Sequence, residues 1–157
     1  MSCYYKTLPW LIPQLLLLAP PKSEVILVSP WIDNVTLYPP IVGYGEHCYN
    51  YSKIRLSQFL LLLVQDYQMR ITLILREQDR RSHRVIAPLT ALQSNKLTVR
   101  EVEYLHAKIL ITDRFVIETS ANLIFTSLYR NIESCTLLVN THHNSRKYLK
   151  TRLNLTL

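Results

Sequence analysis

The chain has 157 residues, a formal net charge of +7 and a pI near 9.5, and 48% of its residues are hydrophobic. This length predicts that residues 1–157 form a single domain rather than several. The charge disfavours a cationic partner and favours an anionic one, such as nucleic acid or an anionic membrane surface, although a generally basic soluble protein fits the same composition.

The cysteines argue against a disulfide framework, because Cys3, Cys48 and Cys135 are odd in number and far apart. This pattern favours a reducing compartment, and we expect a cytoplasmic protein. Cys48 adjoins His47, and two histidines follow at 142–143, but the spacing is not that of a zinc site. We therefore expect neither a metal nor another cofactor.

The first predicted element is a short core helix. Residues 8–19 are strongly apolar, but the run is too short to span a membrane and is interrupted by Pro9 and Pro13. The helix should start near Pro9 and stop at the proline pair 20–21. We expect no stable membrane association. Glu24 to Ser29 follows as a buried strand.

A loop is predicted over residues 33–51, which hold both glycines, two prolines and four tyrosines. Two interpretations remain for Tyr38, Tyr44, Tyr49 and Tyr51. Their rings stack on exposed bases, or they cover the core or a subunit contact.

A strand–helix–strand unit comes next, with an apolar helix from about Ile54 to Met69 and a strand from Arg70 to Arg76. This order predicts a parallel crossover. Arginines are then dense where the strand ends, at the side of an α/β sheet that usually binds ligands. They are Arg76, Arg80, Arg81 and Arg84. They either contact a phosphate backbone or form a solvated helix start.

The remaining pattern completes an α/β protein. We expect a helix over 82–94, a strand over 97–102, a hairpin around residue 113, a short helix near 121–130 and a strand over 133–139. A final helix within 142–157 carries Arg146, Lys147, Lys150 and Arg152. This basic face either docks a phosphate backbone or is an ordinary surface.

The candidate catalytic residues lie between residues 104 and 133. His106, Lys108 and Asp113 have the spacing His-x-Lys-x4-Asp, followed by Ser120-x-Asn122 and later by Asn131-x-Glu133. We predict a strand over 105–111, so that His106 and Lys108 leave the same face. An imidazole is a nucleophile or a proton donor near neutral pH, and an ammonium attracts a phosphate oxygen.

The other members of this group have supporting roles in the same chemistry. Ser120 and Asn122 can donate hydrogen bonds to the non-bridging phosphate oxygens. Glu133 can accept a hydrogen bond from an imidazole and fix its tautomer. Asp113 lies at the predicted turn, where aspartate commonly bonds the backbone, so we interpret it as structural support. Asn131 is either part of the site or an ordinary helix-end residue.

These motifs resemble the signature of the phospholipase D superfamily, and the short, single-motif endonucleases are the most similar members. The segment Ser29-Pro30-Trp31-Ile32 also resembles the first strand exit of that family, which often borders the active site. The resemblance implies a mixed β-sheet flanked by helices on both faces. It implies metal-independent phosphodiester cleavage, in which one histidine attacks phosphorus and a second protonates the leaving oxygen. By position, His106 is nucleophile or acid, Lys108, Ser120 and Asn122 bind phosphate, and Glu133 orients a histidine.

One position departs from the family. Thr119 precedes Ser120 where the family usually has glycine, and the hairpin before that serine is one residue shorter. A threonine here narrows the space beside the phosphate, so a weakened nucleic-acid-binding module is one alternative. The others are a phosphodiesterase of cardiolipin-like phospholipids, a subunit of a larger nuclease complex and a structural dimer domain.

The number of motifs predicts a homodimer. In-line displacement at phosphorus needs groups on opposite sides of the phosphate, yet the sequence holds one His-x-Lys-x4-Asp. A twofold interface would bring His106 and Lys108 of two subunits to one cleft, as the resemblance also implies. The preferred function is therefore cleavage of DNA or RNA by a homodimeric endonuclease through a phosphohistidine.

Overall fold

The computed structural model describes residues 8–39, 43–44, 47–48, 53–77 and 80–155, with only the backbone at 43–44 and 47–48. Its elements in chain order are α1 (Leu8–Leu18), β1 (Glu24–Ser29), β2 (Thr36–Leu37), β3 (Gly43–Tyr44), β4 (His47–Cys48), β5 (Ile54–Arg55), α2 (Leu56–Gln65), β6 (Arg70–Arg76), a 3-10 turn (Arg80–Ser82), α3 (His83–Thr90), β7 (Leu97–Val102), β8 (Ile109–Ile111), β9 (Phe115–Thr119), α4 (Phe125–Tyr129), β10 (Cys135–Val139) and α5 (Ser145–Leu153).

The centre of the fold is a mixed six-stranded sheet in the order β10-β9-β8-β1-β6-β7. The three strands β1, β6 and β7 are parallel, with Glu24 opposite Arg70 and Ile71 opposite Leu97. The parallel crossover from β1 through α2 to β6 is therefore confirmed. On the other side of β1, the strands β8, β9 and β10 pair antiparallel.

Helices cover both faces, as the predicted α/β class requires. Alternate side chains of β1 leave opposite faces, so Leu27 joins a large core with α1, α2 and α3, whereas Ile26 and Val28 join a smaller core with α5. The strand β6 divides in the same way, which explains its continuous apolar run: a strand buried on both faces lacks polar alternation. The predicted mixed sheet flanked by helices on both faces is confirmed.

Several predicted elements are shorter than expected. The helix expected over 82–94 spans His83–Thr90, and the strand expected over 133–139 spans Cys135–Val139. The helix expected near 121–130 begins only at Phe125, because Leu123 forms an isolated parallel bridge with Ile32 and its carbonyl accepts the Asp33 N–H at 2.8 Å. The helix expected from Ile54 begins at Leu56, because Ile54 and Arg55 pair with β2. The strand expected over 105–111 begins at Ile109.

The predictions on the tyrosine-rich segment are only partly within the described residues. Tyr38 stacks on Trp10, with ring centroids 4.2 Å apart and planes at 17°, so this ring covers the protein itself. Tyr49, Tyr51 and Cys3 lie outside the described residues, as do the side chains of Tyr44 and Cys48. Cys135 is a buried free thiol. No helix of the described chain has the length and apolar character needed to cross a membrane.

Candidate active site

The sheet topology brings the motif to one edge. The carboxyl ends of β1 and β6 point to the same side as the start of β8, the end of β9 and the start of β10. A cleft of about 600 Å³ opens there. We call it the motif cleft, and its lining includes Trp31, Arg76, His106, Lys108, Glu118, Thr119, Ser120, Asn122 and Arg152.

His106 and Lys108 precede β8 rather than lying within it, which corrects the predicted strand boundary. Both nevertheless line the motif cleft. The Thr119 N–H donates to the Lys108 carbonyl at 3.1 Å, so the hairpin pairing continues one residue beyond the strand and fixes this segment. His106 is exposed to solvent and Lys108 is half-buried. An imidazole in this position is open to an incoming phosphate.

Burial acts on the ammonium of Lys108. Removal from water lowers the pKa of Lys108 below its usual 10.5, and the negative charge of Glu133 partly opposes this. The Lys108 Nζ donates to the His106 carbonyl at 2.6 Å. This bond holds the amine beside the histidine, where both groups can face one phosphate.

A hydrogen-bonded group lies in the connection between β9 and β10, and of its members only Ser120 lines the motif cleft. The Ser120 hydroxyl donates to the Glu133 carboxylate and accepts the Ser134 N–H at 2.9 Å. Asn131 donates to the other oxygen of Glu133 at 3.2 Å. Within the described residues, Glu133 therefore bonds a serine and an asparagine rather than the predicted imidazole of its own chain.

Thr119 lines the motif cleft, and its hydroxyl forms two hydrogen bonds. The hydroxyl donates to the Ser134 carbonyl at 2.7 Å and accepts the Ala121 N–H at 3.0 Å. Thr119 is also not among the non-glycine residues with positive φ, so its backbone has no need of glycine. The threonine fixes the loop that carries Ser120.

Asn122 is held at the back of the cleft. It is 7% exposed, and its Oδ1 is buried without a hydrogen-bond partner. Because that oxygen is enclosed, the NH₂ end of the amide is the end that can reach a ligand. A fixed donor beside Lys108 suits a non-bridging phosphate oxygen.

Asp113 lies at the opposite end of β8 and is not among the cleft-lining residues. Its Oδ1 accepts the Ser145 N–H at 3.0 Å and lies 2.9 Å from the Ser145 hydroxyl. The turn at residues 112–115 is held instead by Thr112, whose Oγ1 accepts the Phe115 N–H at 2.8 Å. Asp113 thus attaches the hairpin to the first turn of α5.

The four predicted phosphate-binding arginines separate. Arg76 lines the motif cleft. The Arg81 guanidinium lies 5.4 Å from the ring centroid of Trp31, at the border of that cleft. Arg80 is exposed on the same 3-10 turn. Arg84 lies in a different cleft, where its Nε is 3.5 Å from the Asp33 carboxylate.

The comparisons with known proteins give a fold but no family match. No protein-family model and no curated protein matches the sequence. Among solved structures, Nuc from Salmonella typhimurium, a phospholipase D family member, superimposes with a TM-score of 0.54 at 14% identity, covering 89% of this chain and 80% of Nuc. The chain has a phospholipase D-like fold.

Two larger proteins each contain a region that is similar in structure to this chain. The DNA-binding archaeal chromatin protein TrmBL2 matches with a TM-score of 0.56 at 18% identity, over 98% of this chain and 51% of TrmBL2. Polyphosphate kinase from Porphyromonas gingivalis matches with a TM-score of 0.59 at 12% identity, over 98% of this chain and 23% of the kinase. The chain thus spans about half of one and a quarter of the other.

Glu118 lines the motif cleft although the sequence did not single it out, and Arg152, predicted only as a member of a basic face, lines it as well. Glu118 accepts the Tyr148 hydroxyl at 3.0 Å and lies 3.4 Å from the Arg152 Nε. Burial raises the pKa of Tyr148, and the hydrogen bond to Glu118 raises it further by a smaller amount. The period-two pattern of β9 puts Glu118 on one face with Val116, but only the tertiary packing brings α5 against it.

Possible metal ligands do not cluster in the described part of the chain. There, no group of three or more His, Cys, Asp or Glu residues is placed to hold an ion. The positive groups that line the motif cleft are Arg76, Lys108 and Arg152, and the negative one is Glu118. Glu133 is not among the lining residues, although its charge acts on Lys108.

Proposed function

We propose that the protein is a metal-independent phosphodiesterase that cleaves nucleic acid through a phosphohistidine. The observation that carries the proposal is an exposed His106 beside a half-buried Lys108, both in an open cleft with Asn122. This is the combination needed to attack phosphorus while the charge on the non-bridging oxygens is neutralised.

The reaction follows from these groups. A nitrogen of His106 forms a bond to phosphorus as the bond to the leaving oxygen breaks. Lys108 and Asn122 hold the non-bridging oxygens. A second imidazole donates its proton to the leaving oxygen, and then takes a proton from the water that hydrolyses the phosphohistidine. Nothing in this sequence of steps consumes a further reactant besides water.

The second imidazole is proposed to come from another copy of the chain. Among the described side chains, His106 is the only histidine that lines the motif cleft. Two large apolar residues lie close to the site in sequence and are almost fully exposed: Tyr104 at 84% and Ile132 at 86%. Apolar side chains exposed to this extent, two residues from His106 and one from Glu133 in the sequence, are suited to a protein contact. A twofold contact through them would make the site complete.

Nucleic acid is preferred over phospholipid because of the shape and charge of the surroundings. The apolar cavity adjoining the motif cleft, lined by Leu27, Leu110 and Leu128 among others, has a volume of only about 20 Å³. This space is close to that of a single water, so it cannot accept an acyl chain. The motif cleft is open and carries Arg76 and Arg152 at its border, which suits a long polyanion.

The test compares wild type, His106→Ala and His83→Ala in excess chelator. His83 is an exposed histidine that does not line the motif cleft, so it is a matched control. Labelled single- and double-stranded DNA and RNA, and cardiolipin vesicles, are the substrates. We expect the wild type and His83→Ala to cleave nucleic acid, and His106→Ala to be inactive. Phosphoryl label transferred from substrate to the wild-type protein should be stable in base and lost in acid, as expected for phosphohistidine. This label should be absent from His106→Ala.

Other results would identify the alternatives. Cleavage of the vesicles without cleavage of nucleic acid would assign a lipid substrate. Tight binding without product in all three proteins would indicate a binding module. Loss of cleavage by the wild type upon chelation would contradict the metal-independent mechanism.

A further inference from the structure

A second cleft of about 390 Å³ lies beside the motif cleft. It is lined by three aromatic rings and two guanidinium groups, with one carboxylate, so the lining carries a net charge of +1 from two arginines and one aspartate. We call it the aromatic cleft, and these six residues are Asp33, Tyr38, Arg55, Arg84, Phe125 and Tyr129.

Two chain segments, residues 29–33 and 122–125, are joined by hydrogen bonds and separate the two clefts. Ser29 donates to the Trp31 carbonyl at 2.8 Å and accepts the Leu123 N–H at 3.2 Å, while the Asp33 N–H bonds the Leu123 carbonyl. Trp31 and Asn122 face the motif cleft, and Asp33 and Phe125 face the aromatic cleft. Two or three residues of chain span at most ~10 Å, so the clefts are near neighbours.

The rings of the aromatic cleft offer a stacking platform. Phe125 is 52% exposed, and Tyr129 packs against it with ring centroids 5.0 Å apart. The Tyr129 hydroxyl donates to the Thr36 carbonyl, and burial raises the pKa of Tyr129 to about 12, so this ring stays neutral. The Arg130 guanidinium lies 5.4 Å from the Phe125 centroid. Because Phe125 remains 52% exposed beside these two partners, its ring still offers π-surface to a base.

The cations of this cleft are placed for phosphate. Arg55 Nη1 donates to the Asn34 carbonyl at 3.1 Å, which fixes its head. The positive charge of Arg84 offsets the negative charge of Asp33, and the Arg84 side chain is 69% exposed. Arg81, one turn before Arg84, lies over Trp31 at the border of the motif cleft. Positive charge therefore continues from one cleft to the other.

We propose that the aromatic cleft is a second nucleic-acid subsite, which binds an unpaired nucleotide next to the scissile phosphate, its base on Phe125 and its phosphate on Arg55 and Arg84. This inference rests on the proposed function and extends it, because it makes single-stranded nucleic acid the preferred substrate. In a duplex, both faces of a base are stacked already, so no face is open to Phe125.

Binding is measured by fluorescence anisotropy in the His106→Ala background with chelator, so that no strand is cut. The probes are a labelled 12-nucleotide single-stranded DNA, the matching duplex, and an abasic strand of the same length. We expect Phe125→Ala to raise Kd for the single strand by about 5- to 100-fold, the range for loss of one stacked base. Phe125→Tyr keeps the ring and should restore binding. The duplex and the abasic strand should change little.

The charged part is tested by Arg84→Gln with Arg70→Gln as the matched control. Arg70 begins β6 at the opposite end of the sheet from both clefts. Arg84→Gln should weaken the single strand and the abasic strand alike, and reduce the slope of log Kd against log salt by about 0.7. Arg70→Gln should leave both slope and Kd near those of the parent.

The results separate the subsite from the proposed activity. Unchanged single-strand binding by Phe125→Ala, confirmed as folded by circular dichroism, would overturn the subsite. An equal loss on the duplex or abasic strand would do the same, since neither offers a free base. Should Phe125→Ala fail to fold, Phe125→Leu replaces it, with the same expected loss. If wild type cuts nothing but its single-strand binding depends on Phe125, the activity fails and the subsite stands.

Discussion

Replacing Asp113 tests whether the last member of the His-x-Lys-x4-Asp motif supports the fold or takes part in the chemistry. Asp113 is five positions after Lys108, and an extended chain of that length covers about 16 Å. Its carboxylate accepts the N–H of Ser145, a residue only 1% exposed, and lies within hydrogen-bond distance of that hydroxyl. A group so placed acts on α5, not on a phosphate bound beside His106.

The magnitude follows from these contacts. Asp113→Ala leaves the buried Ser145 N–H without its partner, which costs about 1–3 kcal/mol. It also removes a negative charge that lies beside the first turn of α5, which adds about 0.3–1 kcal/mol. We expect the free energy of unfolding to fall by about 1–4 kcal/mol. A domain usually has about 5–15 kcal/mol, so the variant should remain folded at 25 °C.

Urea unfolding followed by circular dichroism measures this difference, with Asp113→Asn as the conservative control, because its amide oxygen can still accept the Ser145 N–H. Asp113→Asn should lose about 1 kcal/mol. Cleavage by both folded variants should stay within about tenfold of wild type, a barrier change of about 1.4 kcal/mol. The reasoning would be refuted if Asp113→Ala kept wild-type stability yet was as inactive as His106→Ala.

Three further predictions concern the motif cleft and its surroundings. The pKa of Lys108 is lowered by burial, so the positive charge is lost at lower pH than for an ordinary lysine. The alkaline limb of the kcat/KM–pH profile should therefore have its midpoint below 10.5, and Lys108→Arg should move it to higher pH. Tyr104→Glu combined with Ile132→Glu should give a monomer in light scattering with at least tenfold lower activity per chain; a fully active monomer would contradict the shared site. Thr119→Gly should lose about 1–3 kcal/mol of unfolding free energy in urea, because two hydrogen bonds of the Thr119 hydroxyl are removed; greater activity without loss of stability would show that the threonine merely obstructs the cleft.

The elements with strong periodicity could be predicted closely from the sequence. The strands Glu24–Ser29, Arg70–Arg76 and Leu97–Val102 have the predicted bounds, because each is a continuous run of sheet-forming residues between polar or proline boundaries. The boundaries that differ are set by tertiary contacts. Nothing in the sequence of residues 121–124 indicates that Ser29 and Asp33, some 90 residues earlier, bond Leu123 and prevent helix formation.

In the candidate site as well, some features could be predicted from the sequence and others depend on tertiary contacts. His106, Lys108, Ser120 and Asn122 could be placed together from their spacing, since strand pairing alone brings the start of β8 to the end of β9. Their individual partners could not be predicted. The Ser120 hydroxyl donates a hydrogen bond to Glu133, and the Thr119 hydroxyl donates one to the Ser134 carbonyl, because β10 brings those groups against β9. Side-chain pairing of this kind depends on the register of strands distant in sequence.

The basic residues of α5 have different roles at the two ends of the helix, because the start of the helix is anchored and its end reaches the motif cleft. Asp113 and Glu24 hold the start of the helix, where the Arg146 Nε lies 2.8 Å from a Glu24 oxygen, with the Glu24 side chain largely buried. Nine helical residues extend about 13 Å. This carries the last turn across the sheet to the motif cleft, where Arg152 contacts Glu118. Arg146 is therefore part of the helix anchor and Arg152 part of the cleft, although the sequence presents both as members of one basic face. The connection predicts that loosening the start of α5 weakens substrate binding at its other end.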